Sequence, residues 1–132
     1  MSRLLLSALI VLCASCTYKY ESVTQVGYKS GDLVHTVILK LKEDTDQHRI
    51  QEVIAELQSL SSIEETKCLQ VAAKAQTIDP RAKIDYDLIL QMAFESIEDL
   101  ESYGANSFHL EVRRGLKNDL AQAPVVYDYW VQ

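Results

Sequence analysis

The sequence has no excess of positive charge and few of the residues that mark fibrous or low-complexity chains. Its 132 residues contain 13 Lys and Arg against 19 Asp and Glu, a net charge of −6. This balance argues against a protein dedicated to binding nucleic acid, because such proteins neutralise phosphates with basic residues. Four glycines and two prolines exclude collagen-like and low-complexity classes. The length and the 48% of hydrophobic residues fit one globular domain.

The N-terminal apolar run is too short to cross a membrane. Residues 4–12 read LLLSALIVL and follow Arg3. Nine helical residues at about 1.5 Å each fall well short of a bilayer core of roughly 30 Å. A short apolar run behind a positive residue is typical of a signal peptide. We therefore predict a signal peptide over residues 1–15.

Cysteine is scarce, and two of the three cysteines flank the predicted cleavage site. Residues 13–16 read CASC, which resembles a bacterial lipobox, where small residues precede a cysteine that is lipidated and becomes the new N-terminus. The resemblance implies that Cys16 anchors the protein in the bacterial cell envelope, facing the periplasm or the exterior. The alternative is an ordinary secretory signal that is cleaved after Ala14 or Ser15. With Cys16 lipidated, Cys68 is the one mature thiol left, so we expect no intrachain disulfide.

Hydropathy patterns beyond the N-terminus predict the order β-α-β-β-α-α-β. Residues 16–32 show no sustained period and are predicted to be a tether that follows the lipidated residue. Alternation predicts strands at 33–42 and 85–94, with further strands at 66–75 and 123–131. Apolar spacing of 3 and 4 predicts a helix over 50–60. Ser96 is predicted to cap a short helix ended by Gly104, and Asn106 to cap the next one.

This order predicts an α+β fold, a ferredoxin-like four-stranded antiparallel sheet with helices on one face. The helix-covered face would carry His35 with its apolar neighbours on the first strand. The opposite face is also partly apolar, since it would carry Val34, Ile38, Ile89 and Ala93. An apolar face that no helix covers needs a partner, and a second copy related by two-fold symmetry is the simplest one. We therefore predict a homodimer over residues 33–132.

Four segments in this order resemble the stress-responsive A/B barrel (Dabb) family. They are HTVILKLK at 35–42, YDLILQMAFES at 86–96, YGANSFH at 103–109 and VVYDY at 125–129. The third is similar to a family Tyr-x-x-His-Pro-x-His block, although Asn106 and Ser107 replace its first His and its Pro. The resemblance implies a dimeric α+β barrel over residues 33–132 with a pocket between sheet and helices.

Some plant members of this family are polyketide cyclases that need no metal and no cofactor. Resemblance to them implies that Tyr103 and His109 carry acid/base chemistry and that His35 lines the pocket. We add Leu88, Leu90 and Phe94 as pocket residues, because they share the inward face of the third strand. For each of these polar residues a structural role is the alternative: a buried and hydrogen-bonded His35, a capping His109, and a core Tyr103.

Two functions remain open at this point. The first is an envelope lipoprotein whose dimeric domain binds a small apolar molecule in a stress-related role. The second is a cofactor-free enzyme that acts on a carbonyl substrate with His109 as base and Tyr103 as proton donor. The sequence shows no clustered ligand set for a metal, no phosphate loop and no serine nucleophile motif. We expect no cofactor, no nucleic-acid partner, and membrane contact through the lipid alone.

Overall fold

The structure of the protein is a computed structural model that describes residues 27–132. The predicted signal peptide, Cys16 and most of the predicted tether lie outside the described residues. The strands are β1 (Leu33–Leu39), β2 (Lys67–Ala73), β3 (Leu88–Phe94) and β4 (Val125–Trp130). The helices are α1 (Gln47–Ser59), α2 (Ile97–Ala105) and α3 (Ser107–Leu116), and a 3₁₀ turn, Leu60–Ser62, follows α1. The predicted order of elements is confirmed, and each strand is shorter than predicted.

The four strands form one antiparallel sheet in the order β2-β3-β1-β4. This is the predicted ferredoxin-like arrangement, in which β1 lies at the centre between β3 and β4. The register pairs His35 of β1 with Met92 of β3 and with Asp128 of β4. Residues paired in register point to the same face of a sheet. The register therefore places His35 and Asp128 side by side on the face that the helices cover.

Short polar side chains cap each helix at its N-terminus. Asp46 accepts the backbone N–H of Arg49 at 2.8 Å, and Ser96 accepts that of Asp99 at 3.1 Å. The prediction that Gly104 ends α2 is wrong, because the helix continues through Ala105. Asn106 ends α2 and also starts α3, where its side chain accepts the N–H groups of Phe108 and His109. The extended backbone of Asn106 changes the direction of the chain between the two helices. A glycine in the left-handed conformation is therefore not required at this turn.

The core lies between the sheet and the three helices. Its largest completely buried side chains include Phe94, Leu88 and Met92 of β3, with Tyr103 of α2 and Val53 of α1. Each buried apolar side chain of this size stabilises the fold by about 1.5–3 kcal/mol relative to exposure. The helices of residues 27–132 are all too short or too polar to cross a membrane.

The opposite face of the sheet is partly covered by the chain itself. Val34 and Ala93 are completely buried there, whereas Tyr127 and Tyr129 are exposed. The Tyr28 hydroxyl lies 3.3 Å from the Gln70 amide nitrogen on this face. The end of the segment that was predicted as a tether therefore packs against the domain.

The same segment is joined to the end of β4. The Gly31 N–H donates to the Val131 carbonyl, and the Val131 N–H donates to the Asp32 carbonyl, both at 2.9 Å. Gly31 has a φ of +90°, a conformation that side-chain-bearing residues rarely adopt. Asp32 is buried and its carboxylate accepts the Lys29 N–H at 2.9 Å. The folded unit thus begins a few residues before the predicted boundary at residue 33.

Candidate functional site

A cavity of about 370 Å³ lies between the sheet and the helices. Every layer of the domain contributes to it: β1, β3 and β4 from the sheet and α1, α2 and α3 from the helices. Its walls are mainly aliphatic. The apolar lining residues are Val37, Leu39, Leu57, Leu60, Leu90, Val112, Leu116, Leu120, Ala123, Pro124 and Val126. Such a lining favours a ligand that is mostly apolar.

The three polar site residues that were predicted all line this cavity. His35 from β1, Tyr103 from α2 and His109 from α3 all line it. The ring centroids of Tyr103 and His109 are 4.3 Å apart, with 31° between the ring planes. The centroids of His35 and Tyr103 are 6.2 Å apart. Tyr103 therefore lies close to both imidazoles, and His109 is the nearer of the two.

The break at Asn106 brings Tyr103 and His109 together. On one continuous helix, residues six apart would point in clearly different directions. Here Tyr103 belongs to the last turn of α2 and His109 to the first turn of α3. The His109 Nδ1 lies 3.3 Å from the Gly104 carbonyl oxygen of the preceding helix. Because a carbonyl can only accept, Nδ1 carries the proton, and Nε2 of the neutral ring is left as the acceptor.

His35 has a carboxylate partner that the sequence did not reveal. Its Nδ1 lies 2.6 Å from Oδ1 of Asp128, directly across the β1–β4 ladder. Since the carboxylate accepts, Nδ1 donates, and this bond fixes the orientation of the ring. The sequence signal was an aspartate inside an otherwise apolar strand, where this residue type is uncommon. The alternative role of a buried and hydrogen-bonded His35 holds in part: the ring is hydrogen-bonded, but the side chain is only partly buried, with 15% of its surface exposed.

Tyr103 is a neutral proton donor that opens on the cavity. The residue is 2% exposed, and burial raises the pKa of its phenol above the ordinary value of 10.0. Within residues 27–132 its hydroxyl forms no hydrogen bond. Every side-chain polar atom of these residues that is fully enclosed does have a partner, so the Tyr103 hydroxyl is not fully enclosed. The hydroxyl therefore retains access to the cavity, where it can donate a hydrogen bond to a ligand oxygen.

His109 is held in its neutral form. Burial is the largest cause that lowers its pKa below 6.5, and the neighbouring Arg113 and His35 side chains lower it further. The hydrogen bond to Gly104 acts in the opposite direction and is outweighed. A neutral imidazole beside a neutral phenol forms a base and acid pair at pH 7.

The depressed pKa of His109 predicts a pH-dependent stability. The neutral ring is favoured in the folded state, so His109 contributes stability above its unfolded pKa of about 6.5. That contribution is lost as the pH falls through the folded pKa. The free energy of unfolding should fall between pH 7 and 5, and the fall should be shallower in His109→Gln than in the wild type. The two slopes should differ by less than about 1.4 kcal/mol per pH unit, which is the limit for one proton.

Urea unfolding at a series of pH values measures this slope. His48→Gln is the matched control, because the His48 side chain is 84% exposed on α1. A slope that changes equally in both variants would contradict the burial of His109 as the cause.

The other predicted pocket residues divide into two groups. Leu90 lines the cavity, whereas Leu88 and Phe94 are buried in the core and are not among the lining residues. All three share one face of β3. The cavity lies mainly over the neighbouring strand β1, because His35, Val37 and Leu39, the register partners of Met92, Leu90 and Leu88, all line it. Phe94 packs against Tyr103 instead, with 5.2 Å between the ring centroids, and so helps to hold the Tyr103 ring in place.

A family model described as the stress responsive A/B barrel domain matches residues 33–131. The chain belongs to this family. The match covers the whole sheet and all three helices, and so includes every residue that lines the cavity. No curated protein sequence matches this A/B barrel chain.

Solved structures similar to this A/B barrel domain share its fold at low sequence identity. A Dabb family protein with a ferredoxin-like fold from Mesorhizobium loti is 21% identical, with a TM-score of 0.65, 77% of this chain and 98% of that chain covered. A hydroxynitrile lyase from Passiflora edulis is 20% identical, with a TM-score of 0.69 and 79% and 96% covered. A dimeric protein of unknown function and ferredoxin-like fold from Bacteroides fragilis is 17% identical, with a TM-score of 0.61 and 79% and 100% covered. These likenesses show the fold alone.

One polar residue that lines the cavity was not predicted. Arg113 of α3 borders the cavity four residues beyond His109. Over residues 27–132 there is no group of three or more His, Cys, Asp or Glu side chains arranged to hold a metal ion. The chemistry available from these residues is hydrogen bonding and proton transfer.

Proposed function

We propose that this A/B barrel domain binds a small, mainly apolar molecule in the cavity, in a stress-related role. The observation that carries the proposal is the cavity itself, about 370 Å³ with aliphatic walls and polar groups from His35, Tyr103 and His109. This volume falls within the range of about 300–1,000 Å³ that is usual for small-molecule sites. The aliphatic walls supply affinity, and the polar groups orient one oxygen-bearing end of the ligand.

Acid/base catalysis on a carbonyl substrate is the second candidate. It is favoured by the 4.3 Å separation of the Tyr103 and His109 rings, combined with the neutral state of both groups. Tyr103 would donate to the carbonyl oxygen while His109 removes a proton from the neighbouring carbon. Each positioned group contributes about 10²–10⁴-fold, so an enzyme needs both groups together with a correctly oriented substrate.

A methyl ketone separates the two candidates, because it offers an apolar tail, a carbonyl and exchangeable protons. Binding of 2-octanone is measured by calorimetry, and loss of its α-proton signals in D₂O by NMR. Binding without faster exchange supports the binding protein. Exchange that is accelerated by the wild type and lost in both Tyr103→Phe and His109→Ala supports the enzyme.

A cavity-filling variant tests whether the ligand occupies this site. Val112 lines the cavity on α3, so Val112→Trp is expected to weaken 2-octanone binding more than about 10-fold by occupying the space. Leu110→Trp is the control, because Leu110 lies on the same helix but is exposed and does not line the cavity. Unchanged binding by Val112→Trp would contradict the proposed site.

We further propose that the domain works as a homodimer joined through the sheet face opposite the helices. That face carries partly buried Ile38 and Ile89 and the exposed Tyr127 and Tyr129 of β4. The similar proteins from Bacteroides fragilis and Thermobifida fusca are described as dimeric. Pairing of two such faces would bury their apolar groups and produce a closed α+β barrel.

The proposed cellular setting is the bacterial cell envelope, with Cys16 carrying the lipid anchor. The proposal is supported by the short apolar run and the small residues before Cys16. We expect Cys16→Ser to move most of the protein from the membrane fraction to the soluble fraction after cell lysis. Cys68→Ser is the control and should leave the distribution unchanged. Membrane retention by Cys16→Ser would show that a different anchor holds the protein.

A further inference from the structure

We infer that the cavity selects apolar molecules that carry a carboxylate, and that Arg113 is the residue that recognises this group. The inference rests on the proposed binding function and names the chemical class of its ligand. The fifteen lining residues include one arginine and two histidines but no aspartate or glutamate. In a chain with a net charge of −6, the residues that line this cavity include no carboxylate, and Arg113 is the permanently charged group among them.

Arg113 is available to a ligand. None of the ion pairs formed within residues 27–132 includes it. Arg49, by contrast, is fully occupied by Asp119, Glu56 and Glu52. An arginine guanidinium presents a planar set of donors that matches a carboxylate in a bidentate geometry. A free arginine at the border of an apolar cavity therefore provides a specific place for an acidic head group.

The helix geometry places this charge beside the polar end of the cavity. Arg113 follows His109 by four residues on α3, so the two side chains lie on the same side of the helix. Tyr103 is the next polar group, with its hydroxyl facing the cavity. A carboxylate held by Arg113 could accept a second hydrogen bond from the Tyr103 hydroxyl. Its alkyl chain would then extend along the aliphatic walls formed by α1, α3 and the loop before β4.

Octanoate and 1-octanol are the probes, since they share an eight-carbon chain and differ in charge. Their affinities are measured by calorimetry at pH 7.5 and constant ionic strength. We expect the wild type to bind octanoate about 3- to 10-fold more tightly than octanol, a modest ratio because Arg113 is exposed. Arg113→Gln should remove this preference, so that the variant binds octanoate and octanol with equal affinity.

Arg114→Gln is the matched control, because Arg114 is the next residue on α3, is exposed, and does not line the cavity. It carries the same loss of charge and should keep the preference for octanoate. Equal affinities of the wild type for both probes would overturn the inference, as would an equal effect of the two arginine variants. Binding of neither probe would instead overturn the proposed binding function.

Discussion

Replacement of Phe94 by alanine is expected to lower the free energy of unfolding by about 3–5 kcal/mol. Phe94 has no exposed surface and lies at the end of β3, where its ring packs against Tyr103 and His35. Loss of the ring removes buried apolar surface and leaves a space that the surrounding β-sheet and α2 can only partly close. Denaturant unfolding followed by circular dichroism measures the change.

The other phenylalanine of the chain provides the control. Phe108 is 36% exposed in the first turn of α3, so Phe108→Ala removes less buried surface. We expect it to cost less than about 1.5 kcal/mol. Similar losses in the two variants would contradict the assignment of Phe94 as a main core residue.

Introduction of glutamate at Ile38 is expected to dissociate the proposed dimer. Ile38 lies in β1 between Ile89 of β3 and Val125 of β4, on the face opposite the helices. In a two-fold dimer the change occurs twice at the same interface, and each copy would bury an unpaired carboxylate. A penalty of at least about 3 kcal/mol corresponds to a dissociation constant raised by at least about 100-fold. Analytical ultracentrifugation at micromolar concentration measures the change.

An isoleucine in the loop before β3 provides the control, because it lies outside the proposed interface. Ile78 is completely exposed in this loop, so Ile78→Glu should leave the dimer intact and keep the domain folded. A wild-type domain that sediments as a monomer would contradict the proposed dimer. Dissociation caused equally by Ile78→Glu would show that charge in general, and not the Ile38 face, is responsible.

The order of strands and helices could be predicted because the two faces of the sheet have different surroundings. The alternation in β1 and β3 separates residues that contact helices from residues on the other face, and short polar residues mark the start of each helix. The irregularity of β2 could not be predicted: its pairing with β3 shifts between Lys67 and Gln70, and Cys68 has a positive φ of 51°. A bulge of this kind interrupts the period of two on which strand prediction depends.

The site was only partly predictable, because its geometry depends on long-range register. Inward-facing positions such as His35 follow from alternation within one strand. The pairing of His35 with Asp128 joins residues 93 positions apart and depends on how β1 and β4 align. Leu88 and Phe94 share a face with Leu90, but alternation does not show which residues of that face reach the cavity. Arg113 carried no sequence signal beyond its position in the last turn of a helix.

The backbone hydrogen bonds that join residues 31 and 32 to Val131 have a consequence for engineering the domain. They place the entry and exit of the folded unit next to each other, so a short linker from residue 132 back to residue 28 would close the unit into a ring. The loop that includes Asp79 and Ile78 is exposed and lies outside every strand and helix, which makes it a suitable place to open that ring. Such a circular permutant keeps all four strands and three helices intact, and it carries the cavity on a chain whose ends lie in the loop between β2 and β3.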